Sequence, residues 1–565
     1  MNLPRKILLA CTLASTAHLG AQSQILGPTK IRYVLLLSID GMHSLDFLNC
    51  SRGISGTNNG APYCPNLAAL ATTGYNYRNA TTSKPSDSFP GLMSIVSGGS
   101  AATMGVFYDV AYDRSLAPPA KTTGNGVAAG TCTPGVLNGT TTEYEEGIDL
   151  DQTKLNGGAP TGGGGINSID PSRLPRDPSN GCKPVYPWNF VRTNTVYGVI
   201  HDAGGYTAWS DKHPAYSSVA GPGDGSNVDD YYSPEINSTV VPLPGITTVT
   251  GMSCNPIADP SQTGSWTDSF RNIQCYDTLK VNAILNQIDR KKSDGSLSVP
   301  VPNIFGMNFQ AVSVGQKLIE KNVGTGGYLD AFGRPSAQLL AEIQFVDAAI
   351  GSMVAEMRNR SILSETLIVV TSKHGQSPID PKLFTPIPGS TGANGTTPAT
   401  LIAGLLPFSE SPSNPDGIGP VEDDISLLWL TDPAQTASAV ATIEAAGKSA
   451  GVGEIFAGNA LAEMFNLPGL PPTGDPRTPD IIVQPNVGVV YTGSTKKLAE
   501  HGGFSADDTN VMMLLSNPGF SPKSFISPVQ TKQVAPTILR ALGLDPNALQ
   551  AVRQEGTPAL PGLPF

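Results

Sequence analysis

An apolar run near the start of the chain, Ile31 to Ile39 (IRYVLLLSI), stops at Asp40-Gly41. Such a run predicts a central strand of a parallel sheet, covered on both faces. Thr366 to Thr371 (TLIVVT) repeats the pattern and ends at Ser372-Lys373-His374-Gly375, and Ile304 to Phe309 is a shorter run of the same kind. Val511 to Leu515 reads as the last core strand. Between these runs the apolar spacing changes to that of helices. Asp277 to Ile288 and Ser336 to Arg358 are amphipathic, Pro65 to Gly74 has Pro in its first turn and Gly at its end, and Gly91 to Ser97 follows Ser88-Phe89-Pro90. Thr195 to Ala208 predicts a helix leading into a strand, and Gln533 to Leu542 a terminal helix. Asp424 to Leu430 and Ala434 to Lys448 form a strand-then-helix pair of a smaller inserted lobe. Strands alternating with helices predict an α/β fold built on a doubly wound, mostly parallel sheet.

Composition adds long loops to this picture. Of 565 residues, 39% are hydrophobic and 14% charged, with 62 Gly and 49 Pro, which describes a globular chain rich in turns. Periodicity fades from about 111 to 194, and insertions are expected around 111–194, 211–265 and 379–480 of one domain spanning 22–565. The formal net charge of -11 argues against general affinity for nucleic acid or anionic membranes. Arg5 and Lys6, the apolar stretch Ile7 to Ala17 and the small pair Gly20-Ala21 read as an export signal over 1–21, with a periplasmic or secreted destination. That stretch is shorter than the roughly 20 apolar residues a bilayer span needs, and no later segment is expected to supply an anchor. Beyond the signal lie six cysteines: Cys50, Cys64, Cys132, Cys182, Cys254 and Cys275. They predict disulfides; fifteen pairings exist, and sequential pairing is the simplest because it staples each loop-rich insertion.

In open α/β sheets ligands gather beyond the carboxyl ends of the strands. Asp40-Gly41, Ser372-Lys373-His374-Gly375 and Glu500-His501-Gly502-Gly503 fall at such ends or in nearby loops. Ser88 stands at a loop-to-helix junction, where backbone N–H groups can receive an anion. The order SIDG, CPNLAAL…TGYNYRNATTSKPSDSFPGLMSIVSGG, VTSKHG, EHGGFSADDTNVMMLL and TKQVAPTILRALGL resembles the alkaline phosphatase superfamily, in particular its type I phosphodiesterase/nucleotide pyrophosphatase branch. The resemblance covers most of the chain. It implies a hydrolase of small phosphate esters with Ser88 as a nucleophile that also touches metal, and with Asp40, His374 and His501 as metal ligands. Two zinc-like ions would lower the nucleophile's pKa and polarise the phosphoryl oxygens. No histidine neighbours Ser88 in sequence, so its activation is expected to come from a cation.

Departures from the family pattern alter that expectation. Lys373 stands where the family has an Asp ligand, and Val312-Ser313-Val314-Gly315-Gln316 aligns with the family's Asp-x-x-Gly-His. One divalent ion, of zinc type, or none is therefore expected in place of two. Lys373 becomes a candidate for charge stabilisation, paired with Asp40 or the substrate anion. Asn308, Gln316 and His213 are candidates for substrate contact, with Gln310 nearby. Asp229 and Asp230 read as a solvated loop, Asp507 and Asp508 as turn or capping residues, and His43 and His201 as structural. The expected function is an exported phosphodiester or phosphomonoester hydrolase with an altered metal site. The alternative is a catalytically silent ligand-binding protein on the same scaffold.

Overall fold

The computed structural model describes residues 30–144, 168–236, 265–389, 396–407, 421–465 and 474–565, with the backbone of 248–249 and 252–253. The expected signal at 1–21 and Cys254 of the third expected disulfide lie outside the described residues.

Eight strands form the central sheet: β1 (Tyr33–Ile39), β2 (Gly74–Tyr77), β3 (Ala208–Ser210), β4 (Asp230–Tyr232), β5 (Ile304–Phe309), β6 (Thr366–Thr371), β7 (Leu514–Ser516) and β8 (Lys523–Phe525). Their spatial order is β8-β2-β7-β6-β1-β5-β3-β4. Every pairing is parallel except those of β7, which runs against both β6 and β2. The core strand expected at Val511 to Leu515 starts later, at Leu514. Asn510–Val511 instead pairs with Ala80–Thr81 in a small separate sheet, and β8 follows β7 at the sheet edge.

Side chains alternate across a strand, so a doubly covered strand must feed two cores. Val34 and Leu36 of β1 join one cluster, and Tyr33, Leu35, Leu37 and Ile39 the other. Seven helices matter for the layers and the site: α1 (Pro65–Ala71), α2 (Ser88–Ser97), α3 (Val196–Asp202), α4 (Phe270–Ile288), α5 (Ala311–Lys317), α6 (Ala337–Asn359) and α7 (Val534–Ala541). Residues of α2, α3 and α7 fill the first cluster; residues of α1, α4, α5 and α6 fill the second. The result is a three-layer arrangement. By length and composition α6 could cross a membrane, which the sequence reading did not anticipate. Here its Leu339, Ile343, Val346, Ile350, Met353 and Met357 are buried against the sheet, as expected of a core helix.

The loop-rich region after residue 111 packs Leu116, Tyr144, Ile169, Leu174, Trp188 and Phe190 into the first core and is pinned by Cys132–Cys182. A second disulfide joins Cys50 to Cys64, so both pairs that lie wholly within the described residues are sequential neighbours. A four-stranded antiparallel sheet (Val421–Glu422, Ser426–Leu428, Ile481–Pro485 and Val452–Ala457) carries the helix Thr436–Ala446 and forms the smaller lobe.

The close approach of α2 to the end of β6 depends on Gly91. A Cβ at Gly91 would lie 2.2 Å from the carbonyl oxygen of Lys373. Within a helix, Gly→Ala ordinarily stabilises by about 1 kcal/mol. Gly91→Ala is expected to do the opposite, lowering the thermal midpoint by several degrees, because backbone on one side must move. A variant melting at or above wild type would show that the contact is looser than described.

Candidate active site

Four adjacent parallel strands deliver polar groups at their carboxyl ends. β1 runs into Asp40, β6 into Ser372-Lys373-His374, and β3 into Asp211-Lys212; β5 carries Asn308 and is followed directly by Gln310. Ser88 enters from the side as the first residue of α2, capped by Asp87, whose carboxylate accepts the N–H groups of Phe89 and Asp109. His501 comes from the loop after the smaller lobe, and its ring lies against that of His374 with centroids 3.8 Å apart.

The Ser88 hydroxyl is the meeting point. Its Oγ lies 3.2 Å from His374 Nε2, 3.4 Å from Asp40 Oδ2 and 3.2 Å from Lys212 Nζ. His374 Nδ1–H donates to the Gly375 carbonyl at 2.7 Å, so a ring without a proton on Nε2 turns that lone pair to Oγ, and a ring with one turns Nε2–H toward Asp40. Asp40 Oδ2 also accepts from Gln310 Nε2 at 2.7 Å and Asn308 Nδ2 at 3.1 Å. Burial opposes ionisation of Asp40, but the charges of Lys373, His374 and Lys212 hold its carboxyl well below the usual carboxylate range. Burial and the neighbouring His374 push the His501 imidazole well below its ordinary value, so it is neutral at pH 7. Ser88, Asp40 and Lys373 are fully buried; Lys212 and His501 are the members of the group that reach toward solvent.

The family model for type I phosphodiesterase / nucleotide pyrophosphatase matches residues 34–141 and 324–506. The chain belongs to this family. No curated protein matches it. Among solved structures, murine ectonucleotide pyrophosphatase / phosphodiesterase 5 is similar over 91% of this chain and 95% of its own, at 12% identity and a TM-score of 0.50. The same figures hold for an inactive variant of the murine protein in complex with AMP. Phosphonoacetate hydrolase from Sinorhizobium meliloti matches over the same shares at 12% identity and a TM-score of 0.48. The protein is thus a phosphodiesterase/nucleotide pyrophosphatase-type hydrolase, with a fold similar to that of the murine protein.

Against this family frame, the structure gathers Asp40, Ser88, His374 and His501 into one cluster. Other expected residues sit differently. The Lys373 ammonium bonds both oxygens of Asp211 at 3.0 and 3.1 Å and lies 3.9 Å over the Tyr216 ring, so it reaches Asp40 only through its field. Asp211 is further tied to the Trp209 indole and the Lys212 N–H. His213 is held by Glu235 at 2.8 Å inside the wall formed with Tyr216. Gln316 donates to the Gly41 carbonyl and to the Tyr328 hydroxyl, within a buried network containing His43 and Asp46. Asn308 contacts the Asp40 carboxylate. Asp230 is not solvated; it is buried and accepts from Gln287 and Ser293.

Two expectations are corrected outright. A histidine does face Ser88, delivered by strand pairing from 286 residues away. The cation within hydrogen-bond reach of its hydroxyl is Lys212, not Lys373. His213 was the expected substrate contact, whereas its neighbour Lys212 is the residue that reaches Ser88.

The donors around Ser88 are poorly suited to a metal. Among the described residues, no group of three or more His, Cys, Asp or Glu is arranged to hold an ion. The Asp40 oxygen turned toward Ser88 already receives two amide N–H groups, and an ammonium rather than a carboxylate stands at 373. The Gln316 amide is spent on Gly41 and Tyr328.

Two predictions follow from the buried charges. Lys373→Met leaves the Asp211 carboxylate buried without its cation and is expected to cost about 3–5 kcal/mol in chemical denaturation, with partial recovery on adding Asp211→Asn; an unchanged midpoint would sink this account. Behind His501, burial and Asp508 push the Asp424 carboxyl well above its ordinary value of 3.8, and burial pushes Asp508 up to about 7. Raised carboxyl pKa values favour the fold while the native groups keep protons that the unfolded chain has not yet lost. That stability is present below about pH 4 and declines as pH rises toward 7. Asp424→Asn is therefore expected to melt higher relative to wild type at pH 8 than at pH 5, and a pH-independent difference would contradict the assignment.

Proposed function

We propose that this family member is an exported hydrolase of phosphodiesters or phosphomonoesters that uses Ser88 as its nucleophile in a site altered from the two-metal pattern. The observation that carries this reading is the Ser88 hydroxyl, set at a helix N-terminus within hydrogen-bond reach of the His374 Nε2 lone pair and the Asp40 carboxylate. His374 takes the proton as Oγ attacks phosphorus, and the Gly375 carbonyl fixes the tautomer that makes this possible. The bond from phosphorus to the leaving oxygen breaks, and the departing oxygen takes the proton held on His374, which is then free to accept one from the attacking water. Water then attacks the phosphoseryl ester, releasing phosphate or a monoester and returning the hydroxyl.

Asp40 favours the imidazolium that forms on His374, whose Nε2 is 3.6 Å from Asp40 Oδ2. Asn308 and Gln310 hold that carboxylate in place, while Gln316 and His213 shape the walls. His501, neutral and partly exposed, lies against the His374 ring at the more exposed side of the group. The donor set does not fit a tightly held zinc pair, and no step is assigned to one. Disulfides at Cys50–Cys64 and Cys132–Cys182 support an oxidising, exported setting. The complete burial of Ser88 favours the second reading, a silent binding protein, because substrate must displace its neighbours to reach it.

Hydrolysis of an aryl phosphodiester by wild type and Ser88→Ala separates the two. The expected outcome is measurable wild-type turnover that falls by about 10³-fold or more in the variant. Equal turnover in both would remove Ser88 as nucleophile, and no wild-type turnover across diester and monoester substrates would favour the binding reading.

A further inference from the structure

The family's reaction needs positive charge at the nucleophile and at the phosphoryl oxygens, and three of the residues that would hold metal ions for it are replaced, by Val312, Gln316 and Lys373. Positive charge is nevertheless present. Lys212 Nζ lies 3.2 Å from Ser88 Oγ, on the segment that follows β3 at the carboxyl end of the sheet. Its backbone N–H is fixed by Asp211 Oδ1 at 2.9 Å, and its carbonyl accepts the Ile236 N–H. Asp211 is itself locked by the Lys373 ammonium, which takes both carboxylate oxygens and rests on Tyr216. Lys212 therefore projects, half-buried, from a segment anchored on both sides. A second ammonium, Lys373, sits close enough to act on Asp40.

We infer that Lys212 is a catalytic residue that takes over the metal's part, so that this protein handles phosphate esters without a bound divalent ion. The inference rests on the Ser88 reading above and deepens it. The Lys212 ammonium donates to Ser88 Oγ, stabilising the oxyanion as His374 removes the proton. As the Oγ–phosphorus bond forms and the bond to the leaving oxygen breaks, the ammonium charge stands beside a non-bridging phosphoryl oxygen and offsets the charge developing there. Lys212 itself neither gains nor loses a proton across the cycle. An ammonium has three donors and a full charge, and in a water-poor site a fixed cation is worth far more than in solution. Lysine is a known style of phosphate contact as a point charge.

The full-length protein is treated with an excess of a strong chelator and dialysed, its zinc, manganese and iron content is measured by mass spectrometry, and aryl phosphodiester turnover is followed. The expected result is less than about 0.1 metal per chain, with turnover within twofold of the untreated protein. Lys212→Met is expected to lose about 10²- to 10³-fold in kcat/KM, and Lys212→Arg to recover part of that loss. Binding of inorganic vanadate to the metal-stripped protein supplies a readout independent of turnover: wild type is expected to bind, and Lys212→Met to bind at least tenfold more weakly, with unchanged circular dichroism. Turnover lost on chelation and restored by zinc would overturn the inference, as would Lys212→Met with wild-type turnover and vanadate affinity. Failure to bind vanadate after stripping would overturn it as well. If Lys212→Met fails to fold, Lys212→Gln takes its place in the same comparisons. Should Lys212→Met behave as wild type while Ser88→Ala is dead, the inference falls and the serine mechanism stands. Turnover surviving in Ser88→Ala would remove the serine mechanism itself.

Discussion

Asp40 carries its negative charge at the centre of the sheet, with no exposed surface. A lone ionised carboxylate in such a place would take up a proton. What prevents this is a surrounding set of donors: amides of Asn308 and Gln310, the Ser88 hydroxyl, His374 and the fields of two lysines. Those donors are in turn placed by the sheet. Asn308 and Gln310 come from the neighbouring strand on one side of β1, His374 from the neighbour on the other. Beneath them, the wholly buried Asp277–Lys280 pair ties the backbone of Gln310, Ala311 and Asn308 to α4. The site is therefore less a pocket lined by residues than a charge balanced by strand ends.

Most of the fold was legible because it rests on patterns a chain must show. Doubly covered strands such as Ile304–Phe309 and Thr366–Thr371 need unbroken apolar runs, and amphipathic helices need their spacing. β7 and β8 were harder. Each is three residues long, and Met512-Met513 reads as strand by composition although the backbone there turns aside to bond Met42. Within the site, Asp40, Ser88, His374 and His501 were visible through their order along the chain. Gln310 was visible beside Asn308 as a contact to ligand, although its amide bonds Asp40; Lys212 was not, because its importance lies in which atom it reaches, and sequence neighbours compete for that role. In DKH, burial and Glu235 take the histidine into the wall, and the lysine is left to face the hydroxyl. Lys373 misled for the converse reason: a cation at a ligand position suggested contact with Asp40, whereas a nearby carboxylate on β3's far end captured it.

The two lysines do different physical work although both carry one charge. Lys373 is dry, doubly hydrogen-bonded and stacked on an aromatic face, so its contribution is a fixed field. Lys212 is half-buried and its ammonium stands directly at the Ser88 hydroxyl, so its contribution is a contact at the reacting atom. A divalent ion combines both qualities in one particle; here they are divided between two side chains joined through Asp211.

The seam between α2 and the end of β6 constrains position 373 through its main chain. Gly91 admits the Lys373 carbonyl against the helix, and the Thr82 hydroxyl also donates to that carbonyl. Neither contact involves the lysine side chain. Ser88 and His374 are consequently registered to each other by backbone fit, whatever residue type occupies 373. Geometry and charge are thus separately heritable at this seam, and a lineage can exchange a carboxylate for an ammonium there while the nucleophile stays where it was.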